Sequence, residues 1–208
     1  MNERRRVAAF DVDGTLTTSD CVVPFLRRTA GTSRLVGRML RSPFTLAGAV
    51  VRRDRNALKA ASAAAAFRGV PVATLEADGA LFAREVFDRR LRADVVRALR
   101  GHLDDGDTVL LVSASFEVYL RPLAELLGVD DVLAVRLATD DQGVLTGCLD
   151  GPNCRGPEKV VRLHDWLDRH AGGRAAVHLS AYGDSTGDRE LLADADEVHW
   201  VGRGEMPH

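Results

Sequence analysis

The sequence predicts an α/β fold, with helices around a doubly wound parallel sheet and a helical segment inserted after the first strand. Two observations favour this fold. From residue 93 onward, short apolar segments of strand length alternate with amphipathic helical segments. Residues 19–91, in contrast, carry helical patterning and no alternating strand pattern. A chain of 208 residues is long enough to bury one such core with an insertion.

The composition is that of an ordinary soluble globular protein, because 46% of the residues are hydrophobic and 28% are charged. No uncharged apolar run reaches the length of a membrane-spanning helix, and the longest covers only residues 44–51. The three cysteines, Cys21, Cys148 and Cys154, form no closely spaced pair, which favours a reduced compartment. The first apolar segment is too short for a signal peptide. We therefore expect a cytoplasmic protein.

The individual elements follow from the apolar patterning. Residues 6–11 are a short buried strand that ends at the polar run Asp-Val-Asp-Gly-Thr. Glycine and proline divide the helical region that follows, at Gly31, Pro43, Gly69 and Pro71. The remaining predicted elements are a helix at 93–103, a strand at 108–112, a helix at 116–127, strands at 132–138 and near 144–148, a helix opened by Pro157, a strand at 175–179, a helix at 189–193 and a strand at 198–201.

Polar residues follow the first two core strands, at the edge where doubly wound sheets bind ligands. Asp11 and Asp13 end the first strand, and Gly14 permits the tight turn that aims both carboxylates outward. Such a pair can divide the roles of nucleophile and general acid or base, although surface turns contain similar pairs. Ser113-Ala114-Ser115 follows the second strand. Its hydroxyls and backbone amides suit an anionic oxygen, with helix capping as the alternative.

Two further groups occur later in the chain. Lys159 is one of only two lysines and lies in the first turn of a predicted helix, where a cation is unfavourable; a solvated lysine is the alternative. Asp184 and Asp188 follow the strand at 175–179 and can bind a hard cation, with helix capping as the alternative. Because all four groups lie at strand ends or beside them, we expect them to form one site.

In that order, the strings D-x-D-G-T, S-x-S, K and G-D-x-x-x-D resemble the four signature motifs of the haloacid dehalogenase (HAD) superfamily of phosphohydrolases. The resemblance covers nearly the whole chain, and segments 10–17 and 182–188 are close to signature strings. It implies an HAD-like Rossmannoid core of residues 1–17 and 92–208, with residues 18–91 as a helical cap. The cap resembles that of subclass IB, which includes phosphoserine phosphatase.

The resemblance also implies catalytic roles. Asp11 is the expected nucleophile and Asp13 the expected acid and base. The residues expected to bind the substrate phosphate are Ser113, Ala114 and Lys159.

A magnesium site is implied by the same resemblance. Asp11, the Asp13 carbonyl and Asp184 are the expected ligands of Mg²⁺, and Asp188 is expected to support them without binding the ion. A divalent cation suits this chemistry, because a carboxylate that attacks a phosphate faces a repulsion of about 4 kcal/mol per charge pair at 4 Å near a protein surface. Hard oxygen donors with no nearby histidine or thiol favour magnesium over zinc.

Three positions depart from the usual pattern of phosphoserine phosphatases. Ser113-Ala114-Ser115 replaces Ser-Gly-Gly, Asp20 replaces a glutamate and Gly187 replaces an asparagine. Segments 113–115, 153–159 and 183–188 look more like the branch that includes bacterial phosphatidylglycerophosphatase C.

We therefore expect a magnesium-dependent phosphomonoester hydrolase that acts through an aspartyl-phosphate on a small or lipid-headgroup phosphomonoester. A phosphoserine phosphatase and a phosphotransferase to an alcohol are alternatives within the same chemistry. A catalytically silent module that binds a phosphorylated ligand is an alternative of another class, and the presence of both Asp11 and Asp13 counts against it.

The inserted segment is strongly basic, with ten basic residues and one acid between Cys21 and Leu75, although the whole chain has a net charge of −2. With the apolar run at 44–51, this charge favours either peripheral contact with an anionic membrane at its inner face or helix packing beside solvated arginines. Nucleotide-binding glycine motifs are absent, and we expect no nucleic-acid partner.

Overall fold

The computed structural model describes residues 4–31, 37 and 55–206. Its strands are β1 (Arg5–Phe10), β2 (Thr108–Phe116), β3 (Asp131–Thr139), β4 (Leu145–Asp150), β5 (Val177–Gly183) and β6 (Glu197–Trp200). Its helices are α1 (Val22–Ala30), α2 (Arg55–Phe67), α3 (Val72–Arg89), α4 (Ala93–Asp104), α5 (Glu117–Leu127), α6 (Pro157–His170) and α7 (Arg189–Asp194).

The strands form one sheet in the order β4-β3-β2-β1-β5-β6. The central strand β1 pairs in parallel with β2 and β5, so that Phe10 lies opposite both Leu111 and Tyr182. Val7 to Phe10 are at most 1% exposed, because helices cover both faces of the sheet. The predicted doubly wound α/β fold is confirmed, with β4 pairing antiparallel to β3 at one edge. This register brings the carboxyl ends of β1, β2 and β5 together.

Two strand boundaries differ from the prediction. β2 continues to Phe116 rather than ending at Val112, because Ser113 and Ser115 are buried in the strand. Helix α5 then begins with Phe116 as its N-cap and no side-chain cap, so the helix-capping interpretation of the two serines is wrong. The strand expected at 175–179 begins at Val177, because the preceding three residues form a short 3₁₀ turn.

The chain leaves the sheet after β1 and returns to it along neighbouring backbone segments. Thr17 lies opposite Leu91, the Thr18 amide donates to the Arg90 carbonyl at 2.8 Å, and the Arg92 amide donates to the Leu16 carbonyl at 2.9 Å. Between residues 18 and 90, the described residues form α1, α2 and α3, in agreement with the predicted helical character. The apolar run at 44–51 lies outside the described residues.

An aromatic cluster joins these helices to the sheet. Phe25 of α1 lies 4.8 Å from Tyr119 of α5 and 5.3 Å from Phe82 of α3, and Phe67 of α2 lies 5.3 Å from Phe116 of β2, between ring centroids. All five rings are fully buried. Among the described helices, none combines the length and the apolar character needed to cross a bilayer.

Candidate active site

The first acid of the site lies directly after β1. The Asp11 amide donates to the Tyr182 carbonyl at 3.0 Å, which fixes the end of β1 against the end of β5. Gly14 follows with φ +88°, and a Cβ there would lie 2.3 Å from Oδ2 of Asp184. The glycine therefore permits both the turn and the close approach of the second acidic loop.

Lys159 links the acids of two strand ends. Its Nζ donates to Oδ1 of Asp11 and to Oδ1 of Asp188, at 2.6 Å in each case, and the residue is only 1% exposed. The solvated-lysine interpretation is therefore wrong. Helix α6 begins at Pro157 after Gly156 and directs its third residue inward. Burial disfavours the ammonium, but Asp11 and Asp188 outweigh it and raise the pKa of Lys159 above its ordinary value.

Three carboxylates converge around this lysine. One oxygen from each of Asp11, Asp184 and Asp188 lies within 4.8 Å of the others. Burial raises the pKa of Asp11 and of Asp184, although Lys159 opposes the rise in both. Lys159 overcomes the effect of burial on Asp188 and lowers its pKa. These carboxylates and the ammonium sum to a charge of about −2, and hard oxygen donors with that charge fit Mg²⁺.

Asp188 is already engaged within its own loop. Its Oδ2 accepts hydrogen bonds from the Ser185 hydroxyl at 2.8 Å and from the Ser185 amide at 3.0 Å, while Oδ1 is held by Lys159. Asp184 is held more lightly, by the Thr15 hydroxyl at 3.2 Å. Asp188 thus orders the loop that carries Asp184. An Asp188 oxygen nevertheless lies within 4.8 Å of oxygens of Asp11 and Asp184, whereas the sequence resemblance implied only a supporting role for Asp188.

The carboxylate of Asp13 points to a different set of partners. Its Oδ1 accepts from the Cys21 amide at 2.9 Å, and its Oδ2 accepts from the Ser115 hydroxyl. Burial raises its pKa, while both hydrogen bonds act in the opposite direction. The side chain of Asp13 therefore lies beside the acid cluster and is not a member of it.

A cavity of about 480 Å³ opens above these residues. The predicted phosphate ligands Ser113 and Ala114 line it together with Lys159, and the Ser113 hydroxyl accepts a hydrogen bond from the Ser115 amide at 3.1 Å. All seven predicted site residues therefore border one cavity: Asp11, Asp13, Ser113, Ala114, Lys159, Asp184 and Asp188.

The sequence analysis assigned no role to several other polar side chains of the cavity, among them Lys59, Asn153 and Arg155. Lys59 lies on α2, and the other two lie in the loop before α6. The rarity of lysine singled out Lys59 as much as Lys159. No local pattern, however, connects residue 59 to a loop nearly a hundred positions later.

Comparison with known proteins agrees with this geometry. The family model for haloacid dehalogenase-like hydrolases matches residues 8–193. The chain is 39% identical to Protein CicA of Caulobacter vibrioides over 197 residues, which cover 95% of this chain and 86% of that protein.

Solved structures share the fold. A protein of unknown function from Bordetella pertussis Tohama I superposes with a TM-score of 0.71 and 26% identity, covering 94% of this chain and 89% of that one. A substrate-bound phosphoserine phosphatase superposes with a TM-score of 0.61 and 18% identity, covering 95% and 86%. The predicted relationship to the HAD superfamily is confirmed by the family match, and the fold agrees with it. Because the match spans the strand-end acids, the buried lysine and the strands that position them, the chain belongs to the haloacid dehalogenase-like hydrolase family.

Proposed function

We propose that this chain is a magnesium-dependent phosphomonoester hydrolase that acts through an aspartyl-phosphate on Asp11. The observation that carries the proposal is the placement of Asp11, at the floor of the cavity and 2.6 Å from a buried lysine. Family membership supports hydrolysis in general, and the oxygen-rich acid cluster supports the metal. Asp11, the Asp13 carbonyl and Asp184 are the proposed ligands.

In the first half of the reaction, a carboxylate oxygen of Asp11 attacks phosphorus and the bond to the leaving oxygen breaks. Asp13 donates its proton to that oxygen, which leaves as an alcohol. The elevated pKa of Asp13 suits this donation, because a larger fraction of the group carries a proton near neutral pH. Ser113, the Ala114 amide and Lys159 hold the oxygens of the phosphoryl group.

In the second half, the Asp13 carboxylate takes a proton from water, and the resulting hydroxide attacks phosphorus. Inorganic phosphate leaves and Asp11 regains its free carboxylate. Lys159 orients the Asp11 carboxylate in both halves of the reaction. Its ammonium is itself fixed by a second hydrogen bond, to Asp188. A bound Mg²⁺ would supply positive charge that offsets the repulsion between the Asp11 carboxylate and the phosphate.

The substrate we propose is a small or lipid-headgroup phosphomonoester. The direct test is a phosphate-release screen over phosphoserine, glycerol phosphates, sugar phosphates, nucleotides and anionic lipid phosphates, with and without an added alcohol acceptor. Phosphate release without transfer to the acceptor supports hydrolysis. Transfer to the alcohol would replace it with the phosphotransferase alternative, and binding without turnover would favour the silent module.

The metal requirement is tested on the active substrate. We expect exhaustive chelation to abolish turnover and Mg²⁺ to restore it, while Ca²⁺ inhibits because its larger, looser coordination shell misplaces the nucleophile. Full activity after chelation, or selective activation by Zn²⁺, would contradict the assignment of the acid cluster.

A further inference from the structure

The cavity wall carries two cations besides Lys159. Lys59 and Arg155 both line the cavity, one from α2 and one from the loop before α6. Within residues 4–31 and 55–206, neither forms an ion pair with a carboxylate. Lys59 donates to the Ala114 carbonyl and lies 4.8 Å above the ring of Phe116, and Arg155 donates to the Thr186 hydroxyl at 3.3 Å.

The acids that act on Lys59 have other partners. The negative charges of Asp13 and Asp20 favour the charged form of Lys59. The Asp13 carboxylate, however, already accepts hydrogen bonds from the Ser115 hydroxyl and the Cys21 amide. Asp20 accepts a hydrogen bond from the Val23 amide at 2.9 Å. Burial lowers the pKa of Lys59 to about 8, and the positive charge of Arg155 acts in the same direction. A negatively charged group bound in this cavity would stabilise both cations.

The position of Arg155 depends on a residue without a side chain. A Cβ at position 187 would lie 2.3 Å from Nη1 of Arg155 and 2.6 Å from its Cζ. Gly187 thus provides the space in which the guanidinium lies beside the acidic loop. A guanidinium in this position can donate paired hydrogen bonds to a carboxylate or a phosphodiester.

A neutral polar group accompanies the two cations. Asn153 is only 8% exposed and lines the same cavity. Its Nδ2 donates to Asn56 at 2.8 Å, while its buried Oδ1 has no hydrogen-bond partner among the described residues. An unpaired buried acceptor is costly, so a ligand hydroxyl is the natural partner for this oxygen.

We infer that Lys59 and Arg155 bind a second anionic group on the leaving portion of the substrate, with Asn153 accepting from a neighbouring hydroxyl. The inference rests on the proposed phosphatase activity and narrows its substrates to phosphomonoesters that carry a further carboxylate or phosphodiester. A free metabolite and a lipid headgroup both offer this chemistry.

Matched substrates test the inference. 3-Phosphoglycerate and glycerol 3-phosphate share a three-carbon skeleton with a hydroxyl at the central carbon. They differ at one end, where the first carries a carboxylate and the second a hydroxymethyl group. We expect the wild type to favour the carboxylate, as a ratio of kcat/KM values, by about tenfold or more, the scale of one charge-assisted hydrogen bond. Short-chain phosphatidylglycerol phosphate carries its second anion as a phosphodiester. If this lipid has the larger kcat/KM, the second anion belongs to a lipid headgroup. If 3-phosphoglycerate has the larger value, it belongs to a free metabolite.

We expect the ratio of the two kcat/KM values to fall about tenfold in each of three variants, Arg155→Gln, Lys59→Met and Gly187→Ala. Arg155→Lys keeps the positive charge and should retain part of the preference. The ratio is insensitive to the fraction of folded enzyme, because both substrates are measured on one preparation. Arg100→Gln, an exposed position on α4, is the control and should leave the ratio unchanged.

Two results would overturn the inference. One is a wild-type ratio near one, and the other is a variant that slows both substrates equally, which would mark its residue as structural or generally catalytic. In both cases, turnover of p-nitrophenyl phosphate would show that the phosphatase proposal itself stands. If the wild type releases phosphate from no substrate, the proposed function fails, and this inference fails with it.

Discussion

At the scale of single residues, the site depends on a charge balance around Lys159. Burying an ammonium and two carboxylates is costly unless each charge meets an opposite charge at short range. Lys159 meets this condition with two contacts of 2.6 Å, and both partners are nearly inaccessible to water. The cation therefore stabilises the fold of the acidic loop, in addition to the phosphate-binding role proposed for it.

Replacing Lys159 with methionine tests both roles, because methionine has a similar length and no charge. We expect kcat to fall at least 100-fold, the usual scale for a lost electrostatic donor. In the presence of a chelator, we also expect the free energy of unfolding to fall by about 3 kcal/mol, since two buried carboxylates lose their partner. Steady-state kinetics and urea unfolding measure the two effects. A variant with kcat within threefold of the wild type would argue against the phosphate-binding role.

The sequence was sufficient to predict that the acidic motif residues meet, because they follow β1 and β5 and the order of strands fixes which loops are neighbours. It could not predict the direction of the Asp13 side chain, which depends on a hydroxyl of Ser115 about a hundred residues away. Nor could it predict that Lys59 and Arg155 line the same cavity, because this depends on how α2 packs on the sheet. Contacts between helix faces and distant loops leave no periodic pattern in the chain.

At the scale of elements, one carboxylate adds to the backbone pairing that joins β5 and β6. Asp196 accepts from the Leu179 amide at 2.9 Å and from Arg174 at 3.0 Å through Oδ2, and from Arg4 at 3.2 Å through Oδ1. The backbone hydrogen bond and the two arginines lower the pKa of Asp196 from 3.8 to about 2. Because β5 carries the loop with Asp184 and Asp188, this join supports the position of the acids.

The lowered pKa predicts a pH-dependent contribution to stability. A group with a depressed folded-state pKa stabilises the fold above its unfolded pKa, and this stabilisation is lost as the pH falls. Asp196→Asn should therefore be less stable than the wild type at pH 7, and the difference should shrink as the pH falls from about 4 toward 2. Urea unfolding over a pH series measures it, with the exposed Asp88→Asn on α3 as the control. A difference that is constant with pH would contradict the charge-based account.

Element boundaries were less predictable than element types. The prediction ended β2 at Val112, where the run of β-branched residues and leucine stops, yet the strand continues to Phe116 with Ser113 and Ser115 buried in it. Burial by the packed helices, rather than β-propensity, decides this boundary. The antiparallel pairing of the edge strand β4 was also beyond prediction, because strand direction depends on connections that hydropathy does not encode.

At the scale of the whole molecule, the inserted helices and the sheet share one core. Phe25, Phe67 and Phe82 of the inserted helices contact Phe116 and Tyr119 of the sheet side, and all are fully buried. We propose that the core of 1–17 and 92–208 and the cap of 18–91 are units of topology and function. We expect the core and the cap to unfold together, because unfolding either one alone would expose buried aromatic rings of the other.

This arrangement predicts a single unfolding transition. Phe25→Ala should lower the free energy of unfolding by roughly 3–5 kcal/mol, as for other large buried aromatic residues. Both tryptophans, Trp166 and Trp200, lie outside the inserted helices, so their fluorescence reports on the sheet side, while far-UV circular dichroism is dominated by all helices. We expect the two signals to coincide in wild type and variant. A variant whose dichroism changes well before its fluorescence would indicate a cap that unfolds independently.

The proposed mechanism requires Asp11 to carry the phosphoryl group during turnover. The most direct measurement is the mass of the peptide that contains Asp11 after the enzyme is mixed with its substrate and Mg²⁺ and quenched in acid within one turnover. The account predicts a phosphorylated peptide that loses its phosphate with hydroxylamine and is absent from the Asp11→Asn variant, which should also have lost turnover. An unmodified peptide, together with an Asp11→Asn variant whose turnover is within tenfold of the wild type, would contradict the account.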